Sequence, residues 1–567
     1  MLCMRRTLCL LAALACGAPA PPSNVRASAS DGAVEVFWDG APLTTYRVQL
    51  ADLDTGNPVS GAIEVKGGHA VLPGAASGLW VDALPGGRAT GLVSAGASGG
   101  TAGKWQIFAP WDFRAGALSA SFNQLTAQER LGVLLVNFDG PDGAQAEVSV
   151  EGTAEDTVQA TQQTLVADRS APSAGLHEQL RARESALALE TPAPAETSAA
   201  ASPRSFCVAR GLDFSRHVRK PATLVVSTAA ADVYVDDDDL GEYEGPELTA
   251  LAQTFASSVQ PAVVSAFGSP SDVDANGKVL VVLTHELGAH LNGGWLIGYF
   301  GNADLVRGRD DSGGCSGSGS NHGEIVYLND PLAGAANGYA RQDLFASVYP
   351  ATLAHELQHL INFARRCVAR SCDGPQDIWI NEALSKVAED LAGFGWNSAG
   401  GRAEGSAYLS RAAGQLRGYD GRSLTRWEGD PIGNYQGVHS FLRLFTDRLG
   451  VGLASRIAES RGGASGVEEA LGLPMPFAMA QWATALLLSN EDGAPYSFSG
   501  ASWSPLHDRL RHLDTRPPGP LSLRGEGISA VLSGAGLDGA ARVTVRSAAE
   551  RPPYVVVVRA SAALPDR

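Results

Sequence analysis

The chain lacks an excess of basic residues, long apolar runs and a rich supply of cysteine. Its 43 lysines and arginines are outnumbered by 60 aspartates and glutamates, which leaves a net charge of −17. Such a charge disfavours binding to nucleic acids and anionic membranes, because both attract positively charged surfaces. Beyond the N-terminal segment, no apolar run is long enough to span a bilayer. We therefore expect no nucleic-acid partner, and membrane association only through a lipid anchor.

Residues 1–21 have the features of an export signal followed by a short tether. Arg5 and Arg6 precede an apolar stretch at 8–15 that is too short to cross a bilayer. The sequence Ala-Leu-Ala-Cys-Gly at 13–17 is similar to a bacterial lipobox, which would make Cys16 the lipidated N-terminus. Ordinary signal-peptidase cleavage is the alternative. We predict an exported protein, either a bacterial outer-membrane or cell-surface lipoprotein or a secreted protein.

Only seven cysteines occur in 567 residues, and three of them fall in the N-terminal segment. The other four are even in number, which in an exported protein indicates disulfides. A cysteine-rich zinc site would need tighter paired spacings, so we discount it. Among the three possible connectivities, the simplest joins Cys367 to Cys372, which are close in sequence, and leaves Cys207 to pair with Cys315.

One segment has the pattern of a zinc-peptidase active site: residues 354–359 read Ala-His-Glu-Leu-Gln-His. His355 and His359 lie on one face of a predicted helix, about 40° apart around its axis, so both imidazoles can reach one tetrahedral zinc ion. Glu356 points at the open position of the metal, where it can take a proton from a water molecule. The competing interpretation is a solvated helix face with two unrelated histidines. Apolar residues recur with helical spacing on the opposite side, at Leu353, Leu357, Leu360, Ile361 and Ala364.

A second predicted helix, at 377–393, carries candidates for a third ligand. Asp377 can cap its start and Gly393 can end it. Glu382 and Glu389 lie on its polar face, one heptad apart, so Glu382 can point at a metal held by the first helix. Glu382 is the leading candidate because it follows an H-E-x-x-H motif and comes directly after an asparagine. The competing acidic residues are Asp373, Asp377, Glu389 and Asp390.

These motifs resemble those of the gluzincin metallopeptidases, in which H-E-x-x-H is followed by N-E-x-x-S on a later helix. More narrowly, the chain resembles the hyicolysin-type bacterial metallopeptidases over roughly residues 205–500. The segments that carry this resemblance are Gly-Tyr-Phe at 298–300, Asn-His-Gly-Glu-Ile-Val-Tyr-Leu at 321–328, Thr-Leu-Ala-His-Glu-Leu-Gln-His at 352–359 and Trp-Ile-Asn-Glu-Ala-Leu-Ser at 379–385.

The resemblance implies an α+β zincin domain with His355, His359 and Glu382 as zinc ligands and Glu356 as general base. One position departs from the pattern. Many gluzincins have an aspartate four residues after the third ligand, where it supports the first histidine, but this chain has Lys386. We expect Glu389 to take over that supporting role.

Peptide hydrolysis also needs a donor for the developing oxyanion. The helix-like segment 435–442 resembles the tyrosine-bearing helix that follows the active site in related peptidases, which makes Tyr435 our candidate. His439, one turn further on, is a second candidate. A packing role for a half-buried Tyr435 is the alternative.

Composition divides the chain into segments and predicts a multidomain protein. The short strands of residues 22–98, with Trp38 and Tyr46, resemble a fibronectin type III β-sandwich. The remaining segments are a second β domain at 99–155, a helical and Ala/Pro/Ser-rich linker at 156–204, the catalytic domain at 205–505 and a small C-terminal β tail at 506–567.

Two further clusters could bind metal. Residues 272–277, Asp-Val-Asp-Ala-Asn-Gly, have the alternating oxygen ligands and the glycine of a calcium loop, so Ca²⁺ is a possible second cofactor beside Zn²⁺. Leu283 stands where the bidentate glutamate of an EF-hand would be, and a polar turn is the competing interpretation. Asp236 to Asp239 are interpreted as a solvated run. His285 and His290 are five residues apart, so we assign them to a strand and loop with no ligand role.

We therefore expect an exported zinc endopeptidase that acts as a monomer on protein or peptide substrates. The rival function is that of a non-catalytic surface-binding or adhesion lipoprotein, in which the β modules bind and the protease domain is vestigial. The intact set of His355, Glu356 and His359 disfavours that rival.

Overall fold

The computed structural model describes most residues between 23 and 561. The longer stretches outside the description are 1–22, 52–61, 85–92, 95–104, 154–186, 191–203, 289–295, 369–375, 397–411, 489–512 and 562–567. The predictions for the export signal, Cys16, Cys372 and most of the linker at 156–204 fall on these stretches. In the described part, several β-sheets and a helical region form a multidomain protein.

The N-terminal segment forms two antiparallel sheets. One has the strand order β1-β2-β5 and the other β4-β3-β6-β7. Tyr46, Val48 and Leu50 alternate along β3 and are fully buried, as expected of a strand with one face in a core. The strand bounds are β1 (Ser23–Ser30), β2 (Ala33–Asp39), β3 (Thr45–Ala51), β4 (Ile63–Lys66), β5 (His69–Pro73), β6 (Gly78–Leu84) and β7 (Val93–Ser94).

The next strands are β8 (Trp105–Phe108), β9 (Ala117–Leu125), β10 (Glu129–Asn137) and β11 (Ala144–Thr153). Buried and exposed residues alternate along β9, whereas β10 is buried at almost every position. A strand that is covered on both faces needs a continuous apolar run. The run Gly-Val-Leu-Leu-Val at 132–136 provides it.

The central region contains a mixed sheet with the strand order β12-β13-β14-β15-β17-β16. β14, β15 and β17 are parallel to one another, and β16 lies antiparallel to β17 at the sheet edge. All six residues of β15 are buried, which explains its uninterrupted apolar sequence. The bounds are β12 (Arg204–Arg210), β13 (Asp213–Ser227), β14 (Ala231–Asp236), β15 (Val279–Thr284), β16 (Gly298–Phe300) and β17 (Ile325–Asn329).

Helices cover this sheet and fill most of the region from 331 to 487. A π-helical turn at Phe255–Val259 joins the first two helices. The bounds are α1 (Gly245–Thr254), α2 (Gln260–Phe267), α3 (Ala303–Val306), α4 (Pro331–Ala336), α5 (Arg341–Asp343), α6 (Tyr349–Phe363), α7 (Ile378–Leu391), α8 (Pro431–Leu449), α9 (Gly452–Glu459), α10 (Gly463–Leu471) and α11 (Met475–Leu487).

The last strands, β18 (Gly519–Leu523), β19 (Gly527–Leu532), β20 (Leu537–Ser547) and β21 (Tyr554–Ser561), do not form a separate tail. They interleave with the strands of residues 105–153 in two sheets, β19-β10-β21-β8 and β18-β11-β20-β9. The sequence analysis assigned residues 99–155 and 506–567 to two separate segments. In the structure, strands from these two segments pair with each other. Pairing completes both sheets, because β10 and β11 each lie between two C-terminal strands.

One hydrophobic core links this composite sandwich to the helical region. It contains Leu134 of β10, Val556 of β21 and Phe477 and Leu487 of α11. Gly132 allows β10 and α11 to approach closely, since a Cβ at this position would lie 2.6 Å from the Leu487 side chain. Of the described helices, none is alone long and apolar enough to cross a membrane; α10 and α11, bent by 76°, pass that test only as a pair.

Candidate metal centre

The H-E-x-x-H motif lies in the middle of α6, between the mixed sheet and α7. Leu353, Leu357 and Ile361 are buried in the core that also contains Val326 and Leu328 of β17. Because this face packs on the sheet, His355, Glu356 and His359 point the other way and stay half-buried. Pro350 lies in the first turn of α6, directly after the π-helical turn Leu344–Val348.

α7 lies against α6 and presents its polar face to the histidines. It begins after Asp377, which occupies the N-cap position but makes no capping hydrogen bond through its side chain. Gly393, at φ +86°, follows its end, as predicted for a left-handed residue after a helix. Ile380 and Leu384 share the core with α6, which turns Glu382 towards the two histidines.

Three side chains converge at this interface. Glu382 Oε2 lies 3.1 Å from His355 Nε2 and 3.5 Å from His359 Nε2. The ring centroids of the two histidines are 4.8 Å apart. One ligand atom from each of the three residues lies within 4.8 Å of the others. Two imidazole nitrogens and one carboxylate oxygen form a donor set suited to zinc, and the spacing fits one ion between them.

Glu389 holds the first histidine from the other side of its ring. His355 Nδ1 and Glu389 Oε1 are 3.0 Å apart, so Nδ1–H donates to the carboxylate and Nε2 is left for the metal position. Lys386 Nζ lies 2.5 Å from the other oxygen of Glu389. The lysine that departs from the gluzincin pattern thus binds the glutamate that contacts His355.

The second histidine contacts Ser385, whose role the sequence analysis did not assign. Ser385 Oγ lies 3.1 Å from His359 Nδ1, and it also contacts Gln358 Oε1 at 2.5 Å and the carbonyl of Asn381 at 2.9 Å. Ser385 is fully buried. Its place in N-E-x-x-S, one turn after Glu382, was the only signal in the sequence for this contact.

The electrostatics of the cluster favour a bound cation. Burial alone would lower the pKa of His355, but the hydrogen bonds to Glu382 and Glu389 outweigh it and raise the pKa to about 10. Burial would raise the pKa of Glu382, yet His359 and His355 hold it well below its usual range. Burial raises the pKa of Glu356, as is useful for a general base that must hold a proton transiently.

Tyr435 lies on α8 and faces the same cluster. Its ring is 6.2 Å from that of His355 and 5.0 Å from that of Trp427. Burial and the negative charges of Glu382 and Glu356 raise the pKa of Tyr435 well above 10. The hydroxyl therefore stays protonated and can donate a hydrogen bond.

The other candidate donor, His439, belongs to a separate buried network. His439 Nε2 lies 2.6 Å from Asp390 Oδ2, and Arg443 Nη1 contacts the same oxygen. Trp396 N donates to Asp390 Oδ1 at 2.6 Å. Because the His439 side chain is fully buried and engaged by Asp390, it cannot act on a substrate. Asp390 was one of the competing third ligands. Its contacts with His439, Arg443 and Trp396 hold it in this separate network.

The structure joins Cys207 and Cys315 in a disulfide with an S–S distance of 2.13 Å. This bond connects β12 to the loop before β17. Cys367 is also disulfide-bonded, and its predicted partner Cys372 lies outside the described residues.

Two more clusters bring possible metal ligands together. Asp272 and Asp274 of the calcium-like loop are joined by Glu324, which the sequence analysis missed because it lies 50 residues further along. Asp236, Asp239 and His285 form the second group. Asp236 and Asp239 are buried, so the interpretation of 236–239 as a solvated run is wrong for these two residues.

No family model matches the chain. Over 228 residues it is 25% identical to the "Neutral metalloprotease ShpI" of Staphylococcus hyicus. The chain is a distant relative of a metalloprotease. The matched region covers 38% of this chain and 45% of the relative, less than half of either protein.

Proposed function

We propose that the chain is a zinc-dependent endopeptidase of gluzincin type. The convergence of His355, His359 and Glu382 on one point, with Glu356 adjacent, carries this proposal. The similarity to a metalloprotease supports it independently. The narrower assignment to the hyicolysin-type peptidases rests on the sequence motifs.

A zinc ion held by His355, His359 and Glu382 would polarise the scissile carbonyl and make a water molecule more acidic. Glu356 takes the proton of that water and passes it to the leaving amine. Its raised pKa suits both steps, since the group must accept a proton and release it within one turnover.

The other residues of the site position these groups. Glu389 fixes the tautomer and ring orientation of His355, and Lys386 holds Glu389. The Tyr435 hydroxyl donates a hydrogen bond to the oxyanion that develops on the substrate carbonyl. β16 lies beside α6 at the sheet edge, where its backbone can pair with an extended peptide.

The finer assignments of fold, partners and location belong to the same proposal. Two sheets of strand order β1-β2-β5 and β4-β3-β6-β7 support a fibronectin type III-like module at 22–98. We also propose, from the sequence alone, that the chain acts as a monomer on protein or peptide substrates, has no nucleic-acid partner, and is exported, either with a lipid on Cys16 or as a secreted protein.

A peptidase assay on the full chain tests the proposal. Zinc-loaded protein should hydrolyse casein, lose activity when a zinc chelator is added, and regain it when zinc is returned. A chain that binds zinc but cleaves neither casein nor a mixed peptide library would contradict the proposal and favour the non-catalytic surface-binding alternative.

A further inference from the structure

Three carboxylates gather at a loop that the zinc chemistry does not use. The loop joins α2 to β15 and contains Asp272 and Asp274 of the calcium-like sequence. Glu324, which immediately precedes β17, is the third member. One oxygen from each of the three lies within 4.8 Å of the others.

Sheet pairing brings Glu324 to this loop. β15 and β17 are parallel neighbours with Leu280 opposite Ile325, and Leu280 N donates to the carbonyl of Glu324 at 2.7 Å. Both carboxylate oxygens of Glu324 also accept from the Val273 N–H, at 3.0 and 3.3 Å. The residue that immediately precedes β17 thus supplies the glutamate that the loop sequence lacks.

Two of the three carboxylates are buried, with exposed fractions of 0% for Asp274 and 1% for Glu324. A buried carboxylate is unfavourable unless an opposite charge compensates it. Among the described residues, no basic side chain lies within ion-pair distance of the three. Arg204 acts on Asp274 only from further away, and its guanidinium donates to the Asn321 carbonyl.

One oxygen of the cluster is unsatisfied. Asp274 Oδ2 accepts from Asn276 Nδ2 at 2.7 Å, whereas Asp274 Oδ1 is buried and has no hydrogen-bond partner in the part of the chain that the structure describes. Buried polar atoms in proteins are nearly always satisfied. A bare carboxylate oxygen beside two other carboxylates indicates the position of a cation.

We propose that Asp272, Asp274 and Glu324 bind a calcium ion. Three carboxylates without a nitrogen or sulfur ligand favour a hard cation over zinc. The site lies on a loop whose neighbouring carbonyls and water can complete the six to eight oxygen ligands that calcium prefers.

Two residues with positive φ and two hydrogen bonds define the conformation of this loop. Ala275 and Gly277 have positive φ values of 53° and 69° and fold the chain back on itself. Gly277 N donates to Asp272 Oδ1 at 2.9 Å, and Lys278 N donates to Asn276 Oδ1 at 2.6 Å. Because these bonds hold the loop in place, binding costs little additional conformational entropy.

The other acidic cluster of the described region differs in one respect. There Lys220 Nζ lies 3.3 Å from Asp236 Oδ2, and Asp239 pairs with His285 at 2.7 Å. Lys220 supplies a positive charge within ion-pair distance of that cluster, whereas Lys278 of the Asp272 loop pairs with Asp232 instead. We therefore assign calcium to the loop and not to the cluster around Asp236.

The ionised forms of Asp274 and Glu324 are unfavourable where they lie. Burial and the nearby charge of Glu324 raise the pKa of Asp274 to about 6. Burial also raises the pKa of Glu324. Calcium would neutralise both groups and tie the start of β17 to the loop after α2, which stabilises the sheet on which α6 packs.

A thermal-unfolding titration of the full chain tests the proposal independently of catalysis. The protein is depleted of divalent ions, reloaded with one equivalent of zinc, and titrated with calcium chloride up to about 10 mM, the range of weak extracellular sites. We expect the wild-type unfolding temperature to rise by roughly 5 °C. Asp274→Asn should show no rise, whereas Asp238→Asn, which removes the same charge from an exposed residue beside the other cluster, should respond like wild type.

Equilibrium dialysis with radioactive calcium provides the second measurement. Wild type should bind one calcium ion per chain, and both Asp274→Asn and Glu324→Gln should bind none. A wild-type chain that binds no calcium, an equal response in Asp274→Asn, or an equal rise with magnesium at the same concentration would each overturn the proposal.

Discussion

Glu389 Oε1 lies 3.0 Å from His355 Nδ1, and the other carboxylate oxygen of Glu389 lies 2.5 Å from Lys386 Nζ. The supporting carboxylate is therefore seven residues after Glu382, not four. Two turns of α7 still place it on the same face, because seven residues bring a helix back to within about 20° of its starting direction. Lys386 neutralises part of its charge.

This relationship predicts two different effects on zinc affinity. Glu382→Ala removes a ligand and should abolish measurable zinc binding, whereas Glu389→Ala removes a support and should weaken zinc binding by about 10–100-fold. Competition with a chromogenic chelator measures both. Glu469→Ala, on the exposed face of α10, serves as control. Tight zinc in Glu382→Ala together with loss in Glu389→Ala would reverse the two assignments.

Glu356→Gln should retain zinc and fold but lose peptidase activity by a factor of at least about 10³, because an amide cannot accept the proton. The measurement is kcat/KM on a quenched fluorescent peptide, alongside the zinc content of the same sample. Glu469→Gln is the matched control. Turnover close to wild type in Glu356→Gln would show that another group acts as base.

Tyr435→Phe should lower kcat by about 10²–10³-fold and leave KM within a few-fold of wild type, as expected when a donor acts on the transition state. Steady-state kinetics on the same peptide separate the two parameters. Packing against Trp427 is retained in Tyr435→Phe, so a purely structural tyrosine would leave kcat unchanged.

The raised pKa of Asp274 predicts how stability depends on pH when calcium is removed. The folded-state value of about 6 exceeds the ordinary value of 3.8, so protonation stabilises the native state below about pH 4 and this contribution is lost as the pH rises through 6. The ionised groups that act on Asp274 are Glu324 and Asp272, with Arg204 opposing them.

Asp274→Asn removes the free-energy cost of ionising this buried carboxyl group. In calcium-free buffer at pH 7 it should be more stable than wild type by up to roughly 3 kcal/mol, and the difference should disappear near pH 3.5. Urea unfolding of both proteins across this pH range provides the values. A difference that does not change with pH would mean that Asp274 titrates normally.

The lipobox-like sequence predicts a location. Cys16→Ala should move the protein from the membrane fraction to the soluble fraction if Cys16 carries the lipid, while Cys9→Ala should leave it in the membrane fraction. Immunoblots of fractionated cells distinguish the two. A mature wild-type protein that is soluble and begins after Cys16 would contradict lipidation.

The convergence of His355, His359 and Glu382 at the candidate metal centre was predictable from sequence because its determinants are local. The spacing of His355 and His359 is set by the helix itself, and the apolar stripe of Leu353, Leu357 and Ile361 decides which face is left for the metal. Asn381 marked Glu382 as the leading third ligand, and Glu389 follows Glu382 by seven residues. Helical geometry places these two glutamates on one face of α7.

The tertiary structure decided what depends on distant segments. Strands of 105–153 pair with strands of 519–561 because their edges need partners, and alternation within a strand does not specify which partner that is. The parallel pairing of β15 with β17 brings Glu324 next to Asp274. The packing of α7 on α8 places Asp390 against His439, which keeps His439 from contacting a substrate. The sequence by itself determined the residues that can bind metal; the packing determined which of them meet, because charge burial and strand pairing depend on the whole fold.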